Sequence, residues 1–239
     1  MDGLIDQRQQ IADNGFIVFE DIYTSDEIVN IESIINRADR SKKTFRQTAD
    51  LFAIRQFLKE LPEVKPLVFN QKLKSIVEAL FGDGYFIVKS IYFDKPEKSN
   101  WFVVWHQDLT ISVDEKVEIP GYSSWTVKQD QFSVQPPIEI LKEIFTIRIH
   151  IDETDGNNGA LKVIPGSHLK GIYRAENIDW SSEREMTCNV KSGGVMIMRP
   201  LLMHASDRTT SSKGRRVIHI EFSRAKLAPE IHWVEKAIF

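Results

Sequence analysis

The sequence has few of the features that mark secreted, membrane-bound or nucleic-acid-binding proteins. Its 239 residues include one cysteine, Cys188, so an intrachain disulfide is excluded and a reducing compartment is favoured. No apolar run reaches the roughly 20 residues that a membrane-spanning helix needs, and the N-terminus lacks a signal-peptide pattern. The formal net charge of −3 gives no reason to expect nucleic acid or an anionic membrane as a partner. These absences predict a cytoplasmic protein and leave its oligomeric state open.

The residues that are present predict a single domain, 1–239, in which helices precede strands. A hydrophobic content of 42% is ordinary for a globular chain, and barrels or sandwiches of this length are commonly undivided. Thr24 and Glu27 form a capping-box pattern before a helix with an apolar stripe. The first part, 1–84, is thus expected to be a helical buttress. Its predicted segments are helices at 3–14, 25–38, 52–61 and 71–81, a short strand at 16–19, and a loop at 39–50.

From residue 85 the pattern changes to strands, and the region 85–239 is expected to form a β core. One segment alternates cleanly, with Phe145, Ile147, Ile149 and Ile151 on one side and polar residues on the other. The predicted strands are 85–93, 103–105, 145–152, 195–198 and 216–223. The intervening 109–144 has few strand signals and is interpreted as a lid-like insertion over the mouth of the site. The fold class is therefore mostly β with N-terminal helices (α+β), a sandwich or barrel buttressed by helices.

Three residues in two places offer a metal site. His106 and Asp108 are two positions apart, so on an extended segment their side chains point the same way. His204, brought in by the fold, would complete a set of two histidines and one carboxylate. Such a set leaves coordination positions open on a non-haem Fe(II) ion. Arg215 lies eleven residues after His204, at the head of an apolar strand, and is a candidate carboxylate anchor.

These motifs, taken in order, resemble the phytanoyl-CoA dioxygenase family. The resemblance rests on Trp105–Asp108, on the segment 155–168 (DGNNGALKVIPGSH), and on His204-Ala205-Ser206 with Arg215. It covers most of the chain and implies a double-stranded β-helix, or jelly-roll, core of the cupin type. It also implies Fe(II), 2-oxoglutarate and O₂. The residues that match the family's functional positions are His106, Asp108 and His204 as metal ligands and catalytic residues, Arg215 as the 2-oxoglutarate arginine, and Gln107, Ser206 and, more loosely, Trp125 as cosubstrate contacts.

The implied chemistry explains the residue types. A guanidinium binds a carboxylate through two parallel hydrogen bonds and stays charged, which suits Arg215 to the distal carboxylate of 2-oxoglutarate. Related halogenases have a small residue at the carboxylate position, whereas this chain keeps Asp108, which favours hydroxylation. The expected function is a dioxygenase that hydroxylates a small organic substrate and releases succinate and CO₂. The family name does not carry its CoA substrate over to this chain, because a shared fold is weak support for a specific ligand.

Strand parity adds further candidates. If Arg215 faces the cavity, then Val217, His219 and Glu221 share its face, while Arg216 points away. On the neighbouring polar face, Arg148 is a candidate partner for an acidic group of the substrate or cosubstrate. For His150 and His219, a hydrogen-bonded core or surface histidine and a pocket role are equally supported.

Two other classes of function remain open. One is a cupin-like metal-binding or sensing protein without oxygenase turnover. The other is a zinc hydrolase that uses the same three ligands, which would leave Arg215 without a purpose. Succinate formation separates the oxygenase from the sensor, and independence from O₂ would favour the hydrolase.

Overall fold

The computed structural model describes residues 2–49, 52–97, 99–128 and 131–239. Residue 50 of the predicted loop and residues 129 and 130 of the predicted insertion therefore lie outside the described residues. None of the helices within these ranges has the length and apolar character needed to cross a membrane. The described helices are α1 (Asp2–Asn14), α2 (Ser25–Asn36), α3 (Phe57–Glu60), α4 (Lys65–Val68), α5 (Gln71–Phe81) and α6 (Ile138–Lys142), with short 3-10 helices at Pro62–Val64, Ser167–Lys170 and Ala175–Asn177.

Within the described residues the strands form three antiparallel sheets. The major sheet has the order β1-β12-β9-β14-β4-β3-β2, the minor sheet β11-β10-β13-β5, and the third sheet β6-β8-β7. The strands are β1 (Phe16–Phe19), β2 (Phe45–Gln47), β3 (Phe52–Arg55), β4 (Phe86–Lys95), β5 (Val103–His106), β6 (Ile111–Val113), β7 (Ser123–Lys128), β8 (Gln131–Gln135), β9 (Ile144–His150), β10 (Leu161–Val163), β11 (Met186–Cys188), β12 (Val195–Met198), β13 (His204–Ser206) and β14 (Arg215–Ser223).

Alternation along the strands divides the major sheet into two faces. Ile147 and Ile149 of β9 and Ile218 and Ile220 of β14 join one buried cluster with α1, α2 and α5. The alternate residues face the minor sheet, and at one end Met196 of β12 packs with residues of β10 and β11. The chain therefore forms a jelly-roll sandwich with helices on one face, which confirms the predicted fold class.

The predicted helix 25–38 is present as α2, and its capping box is formed. The Thr24 hydroxyl accepts from the backbone N–H of Glu27 at 3.3 Å, and the Glu27 carboxylate accepts from the Thr24 N–H at 2.8 Å. The helix ends at Asn36, slightly before the predicted end, with Arg37 as its C-cap. The buried stripe of α2 packs on the side of the major sheet away from the minor sheet.

The prediction of a helix at 52–61 is wrong in its first half. Residues Phe52–Arg55 form β3, which pairs with β4 and β2, and only Phe57–Glu60 is helical. Gln56 between them has a φ of 50°, in the left-handed region, which separates strand from helix. The predicted loop 39–50 likewise contains a short strand, β2. The first 84 residues therefore supply three strands of the major sheet as well as the helical buttress.

The expectation that 109–144 carries few strands is also wrong. This insertion contains β6, β7 and β8, which form the third sheet, followed by α6. Val113, Val134 and Leu141 are buried in a cluster that this region shares with the C-terminal residues Ile231 and Trp233. The insertion is thus a folded layer that packs in one apolar cluster with the C-terminal segment and with Val88 of β4.

Candidate metal centre

The three candidate ligands come together on the minor sheet. Strands β5 and β13 are hydrogen-bonded neighbours, and His106 lies directly opposite His204. Asp108 follows β5, and its backbone N–H donates to the carbonyl of Pro200 at 2.9 Å. One potential ligand atom from each of the three residues lies within 4.8 Å of the others. The structure therefore brings together the triad that the sequence predicts.

Backbone carbonyls fix the orientation of both imidazoles. The Nδ1 of His106 lies 2.8 Å from the carbonyl oxygen of Val104, and that of His204 lies 2.9 Å from Leu202 O. Each Nδ1 therefore donates a proton, which leaves Nε2 as the ligand atom, in the usual arrangement of metal-binding histidines. The two Nε2 atoms lie 3.8 and 3.7 Å from the oxygens of Asp108. These separations are too long for hydrogen bonds but short enough for one ion to contact each pair.

The protonation states also suit a cation. Burial raises the pKa of Asp108, but His204, Lys89 and His219 outweigh it, and the net pKa lies below the ordinary value. Burial, opposed by the Asp108 carboxylate, lowers the pKa of His204 to about 4. At neutral pH the site therefore offers a carboxylate and a neutral imidazole without first releasing protons.

Arg215 lies across the cavity on the major sheet and is 4% exposed. Its Nη1 donates to the carbonyl of Gly159, and its Nε has no hydrogen-bond partner. No carboxylate of the described residues lies within ion-pair distance of it. Burial, followed by the charge of Arg148, lowers the pKa of Arg215 to about 9, so the group remains charged at neutral pH. A buried cation in this state favours an anionic ligand.

Parity on β14 is as predicted. Arg216 points to the opposite side, where it pairs with Asp152 and Glu32 at 2.6 and 2.7 Å. Arg215 and His219 line a cavity of about 200 Å³, here called the inner cavity, which also contains the triad. Its described lining is Lys89, Ile91, Phe93, Trp101, Val103, His106, Asp108, Arg148, Leu161, His204, Ser206, Arg215 and His219.

A chain of buried polar groups crosses the major sheet beside the triad. Arg148 Nη1 donates to His219 Nδ1 at 3.2 Å, and His219 Nε2 lies 3.0 Å from Glu221. Glu221 in turn accepts from Lys89 at 2.7 Å. Because Nδ1 accepts and Nε2 donates, His219 is neutral, and burial lowers its pKa against the opposing effect of Glu221. His219 is therefore a neutral histidine that lines the inner cavity.

Two of the predicted cosubstrate contacts are not brought to the inner cavity. Gln107 points away from His106 and Asp108, and its amide donates to the carbonyls of Gly171 and Leu201 at 2.8 and 2.5 Å. Its carbonyl accepts from the backbone of Tyr173, so the side chain ties two loops together. Trp125 lies on β7 and packs into the cluster of the third sheet. Ser206, by contrast, lines the inner cavity with Arg215.

His150 is buried without lining the inner cavity. Its Nδ1 lies 3.0 Å from the hydroxyl of Thr154, and its Nε2 has no hydrogen-bond partner. Burial, followed by the charges of Arg148 and Arg215, holds the pKa of His150 well below its usual range. It is therefore a neutral core histidine.

Lys89, Phe93 and Trp101 line the inner cavity but were not singled out by the sequence. A signal exists on β4, where Lys89 and Lys95 lie at an even spacing in a mainly apolar strand. An even spacing places both lysines on one face, and that face is paired with Glu221 and Arg215 of β14. Trp101 precedes β5 in a segment without periodicity and carries no comparable signal.

A model of the phytanoyl-CoA dioxygenase (PhyH) family matches residues 11–217. Two curated nematode proteins are similar over nearly the whole chain, and both are described as phytanoyl-CoA dioxygenase domain-containing protein 1 homologs. The one from Caenorhabditis briggsae is 24% identical and covers 90% of this chain and 90% of its own length. The one from Caenorhabditis elegans is 23% identical and covers 97% and 95%.

Solved structures share the fold at lower identity. EctD from S. alaskensis, with 2-oxoglutarate and 5-hydroxyectoine, has a TM-score of 0.70 and 20% identity, covering 91% of this chain and 75% of its own. The 2-oxoglutarate-dependent carbocyclase SnoK from nogalamycin biosynthesis has a TM-score of 0.68 and 14% identity, covering 92% and 84%. At these identities the likeness concerns the jelly-roll fold.

Proposed function

This chain belongs to the phytanoyl-CoA dioxygenase family of Fe(II)- and 2-oxoglutarate-dependent oxygenases, and on that premise we propose that it hydroxylates a small organic substrate. The family's cofactors are Fe(II), 2-oxoglutarate as cosubstrate, and O₂. In this proposal His106, Asp108 and His204 hold the iron, and Arg215 with Ser206 holds the distal carboxylate of 2-oxoglutarate. Gln107 and Trp125, implied by resemblance alone, are left out because of where their side chains lie.

The residues present fit these cofactors. Two imidazoles with free Nε2 atoms and one ionised carboxylate form a donor set that suits ferrous iron and leaves positions for other ligands. Bound iron with 2-oxoglutarate and O₂ supplies the oxidising power, and 2-oxoglutarate leaves as succinate and CO₂. The protein's own part is to orient the reactants and to exclude water from them. The carbonyls of Val104 and Leu202 carry out the first task by fixing both rings.

The observation that carries the proposal is the buried, uncompensated guanidinium of Arg215 in the same cavity as the triad. A metal-binding or sensing protein needs the triad but has no use for a buried cation facing it. A dicarboxylate whose other end binds the metal would supply the missing negative charge. Arg215 can donate two parallel hydrogen bonds to that carboxylate from Nε and a terminal nitrogen. The Ser206 hydroxyl lines the same space and can donate to the same group.

Retention of Asp108 supports hydroxylation as the outcome. With the carboxylate in place, the protein fills three positions on the iron, and none of these is left for a halide. The cavity has a volume of about 200 Å³, which is below the range of about 300–1,000 Å³ for sites that enclose a drug-sized ligand. The inner cavity is therefore suited to the iron, the cosubstrate and the reacting end of a small substrate.

The test is release of succinate from 2-oxoglutarate by the Fe(II)-loaded protein in air, first without a substrate. The wild type should form succinate at a slow uncoupled rate, and Asp108→Ala should abolish it. Iron affinity of Asp108→Ala should fall by more than the roughly 10–100-fold that loss of an outer-shell partner costs. Iron binding without succinate, with or without candidate substrates, would contradict the proposal and favour the sensing protein.

A further inference from the structure

A second cavity adjoins the inner cavity and shares two of its residues. This outer cavity has a volume of about 210 Å³ and lies between β4 of the major sheet and the third sheet. Lys89 and Ile91 line both cavities, so they form the boundary between them. Residues of the insertion line the outer cavity, and none of its described residues lines the inner one. Together the two cavities fall within the volume range typical of ligand sites.

The wall of the outer cavity is polar. Five hydroxyl groups line it: that of Ser90 donates to Glu235, and the other four make no side-chain hydrogen bond within the described part of the chain. They belong to Thr110, Ser112, Thr126 and Ser133. Binding sites for neutral apolar ligands are lined mainly by apolar and aromatic side chains, with a few polar groups. Four unpartnered hydroxyls instead suit a ligand that itself carries several hydrogen-bonding groups.

The wall is also positively charged. Its lining includes two lysines, Lys89 and Lys128, and one carboxylate, Glu235. Lys89 is matched by Glu221, whereas Lys128 is exposed and forms no ion pair within the described ranges. Burial raises the pKa of Glu235 to about 7, although hydrogen bonds from Ser90 oppose this effect. Only part of the Glu235 population is therefore negatively charged at neutral pH.

The positive charge continues inward past Lys89. Arg148 is 8% exposed, lines the inner cavity and has no hydrogen-bond partner at Nε. Neither Arg148 nor Arg215 has a carboxylate of the described residues within ion-pair distance. The two negative charges of 2-oxoglutarate would balance the two positive charges of ferrous iron. Arg148 and Arg215 would then carry two positive charges against the single negative charge of Asp108. An anion entering through the outer cavity is therefore favoured along its whole path.

We propose that the substrate is a small polar molecule bearing a carboxylate or phosphate group, and that it binds in the outer cavity with this group beside Lys128 and its reacting carbon toward the iron. Lys128 is then a specificity-determining residue, and the hydroxyls of the third sheet bind the polar body of the substrate. This inference rests on the proposed function, because the outer cavity is a substrate site only if the inner cavity holds the iron and cosubstrate.

The first experiment measures binding. Protein loaded anaerobically with Fe(II) and 2-oxoglutarate is mixed with a panel of small hydroxylated carboxylates and phosphate monoesters. Each anion is matched to its neutral amide or alcohol, and thermal unfolding is followed. Anions that bind the native state should raise the unfolding temperature, and their neutral partners should not. In air, the same anions should increase succinate release above the uncoupled rate.

The second experiment uses the anion with the largest effect. Lys128→Glu should raise its apparent KM about tenfold or more, and Lys128→Gln by less, since one charge-assisted hydrogen bond is lost and, in the first variant, replaced by repulsion. Lys116→Gln, an exposed lysine of the same insertion that lines neither cavity, is the matched control and should leave KM unchanged. Lys116→Gln should also keep the wild-type uncoupled rate.

The proposal is overturned if neutral partners bind and stimulate as well as the anions, if no anion in the panel raises the unfolding temperature, or if Lys128→Glu leaves KM unchanged. Failure of the underlying function looks different. In that case the wild type forms no succinate under any condition, while the thermal shifts still report whether the outer cavity binds anions.

Discussion

At the scale of single residues, strand parity assigns different roles to two adjacent arginines. Arg215 faces the inner cavity without a carboxylate partner among the described residues, whereas Arg216 donates to Asp152 and pairs with Glu32 on the helical side of the sheet. The two side chains have the same chemistry and neighbouring positions. They therefore form a natural matched pair of variants for testing the cosubstrate site.

Arg215→Ala should raise the apparent KM for 2-oxoglutarate about 10–100-fold, because hydrogen bonds to a charged group contribute about 1.5–3 kcal/mol. Iron affinity should change little, since the triad lies on the opposite sheet. Arg216→Ala should leave this KM unchanged and lower the free energy of unfolding by about 1 kcal/mol. Initial rates at varied 2-oxoglutarate and urea unfolding of both variants measure these effects. The reverse pattern of KM values would show that the cosubstrate anchor is misassigned.

At the scale of elements, the C-terminal segment 231–239 brings a carboxyl group into the protein interior. Ala237 pairs with Ile87 of β4, and Glu235 accepts hydrogen bonds from the N–H of Ser90, at 3.0 Å, and from its hydroxyl. Burial outweighs these bonds and raises the pKa of Glu235 to about 7, from an ordinary value of 4.5. The segment thus links stability to pH.

Because the folded-state pKa is the higher one, the folded protein binds more protons than the unfolded chain between pH 4.5 and 7. Ionisation of Glu235 should therefore lower the free energy of unfolding as pH rises through that window, by about 3 kcal/mol in total. Glu235→Gln keeps an acceptor for Ser90 and removes the ionisation. Its free energy of unfolding in urea should exceed that of the wild type at pH 8 and not at pH 4.5. A difference that is the same at both pH values would contradict the assignment.

The sequence predicts elements well where local pattern and tertiary packing agree. In α2 the capping box and the apolar stripe indicate the same helix, and on β9 and β14 strict alternation defines both faces of the sheet. Prediction fails at β3, because Phe52–Arg55 has apolar residues and helix formers in a row. Pairing with β2 and β4 overrides that preference, and such pairing between distant segments cannot be read from local composition. The strands of the insertion are hidden for the same reason.

The candidate site follows a similar division. His106 and Asp108 are placed by a spacing of two, and parity places His219 and Arg216 once the resemblance has placed Arg215 in the cavity. Gln107 illustrates the limit of resemblance, because the spacing that joins its neighbours turns its own side chain away. The outer cavity could not be foreseen, since it exists only where β4 meets the third sheet.

At the scale of the whole molecule, the proposed ligands of the iron and the anchor of the cosubstrate lie on different sheets. The triad belongs to β5, β13 and the residue after β5 in the minor sheet, and Arg215 belongs to β14 in the major sheet. A formal net charge of −3 for the chain contrasts with the cations that line both cavities. The cations are therefore concentrated in the space between the sheets, and a bound dicarboxylate would connect the minor and major sheets.

This arrangement predicts an ordered stabilisation by ligands. Under anaerobic conditions Fe(II) should raise the unfolding temperature, and 2-oxoglutarate should raise it further only when iron is present, because each end of the cosubstrate needs its own sheet. A ligand at 100 times its Kd contributes about 2.7 kcal/mol. Arg215→Ala should keep the shift produced by iron and lose most of the second shift, whereas Asp108→Ala should lose both. Calorimetric scans with iron alone, 2-oxoglutarate alone and both together measure these steps. A full shift from 2-oxoglutarate without iron, or an unchanged second shift in Arg215→Ala, would show that the cosubstrate does not bridge the two sheets.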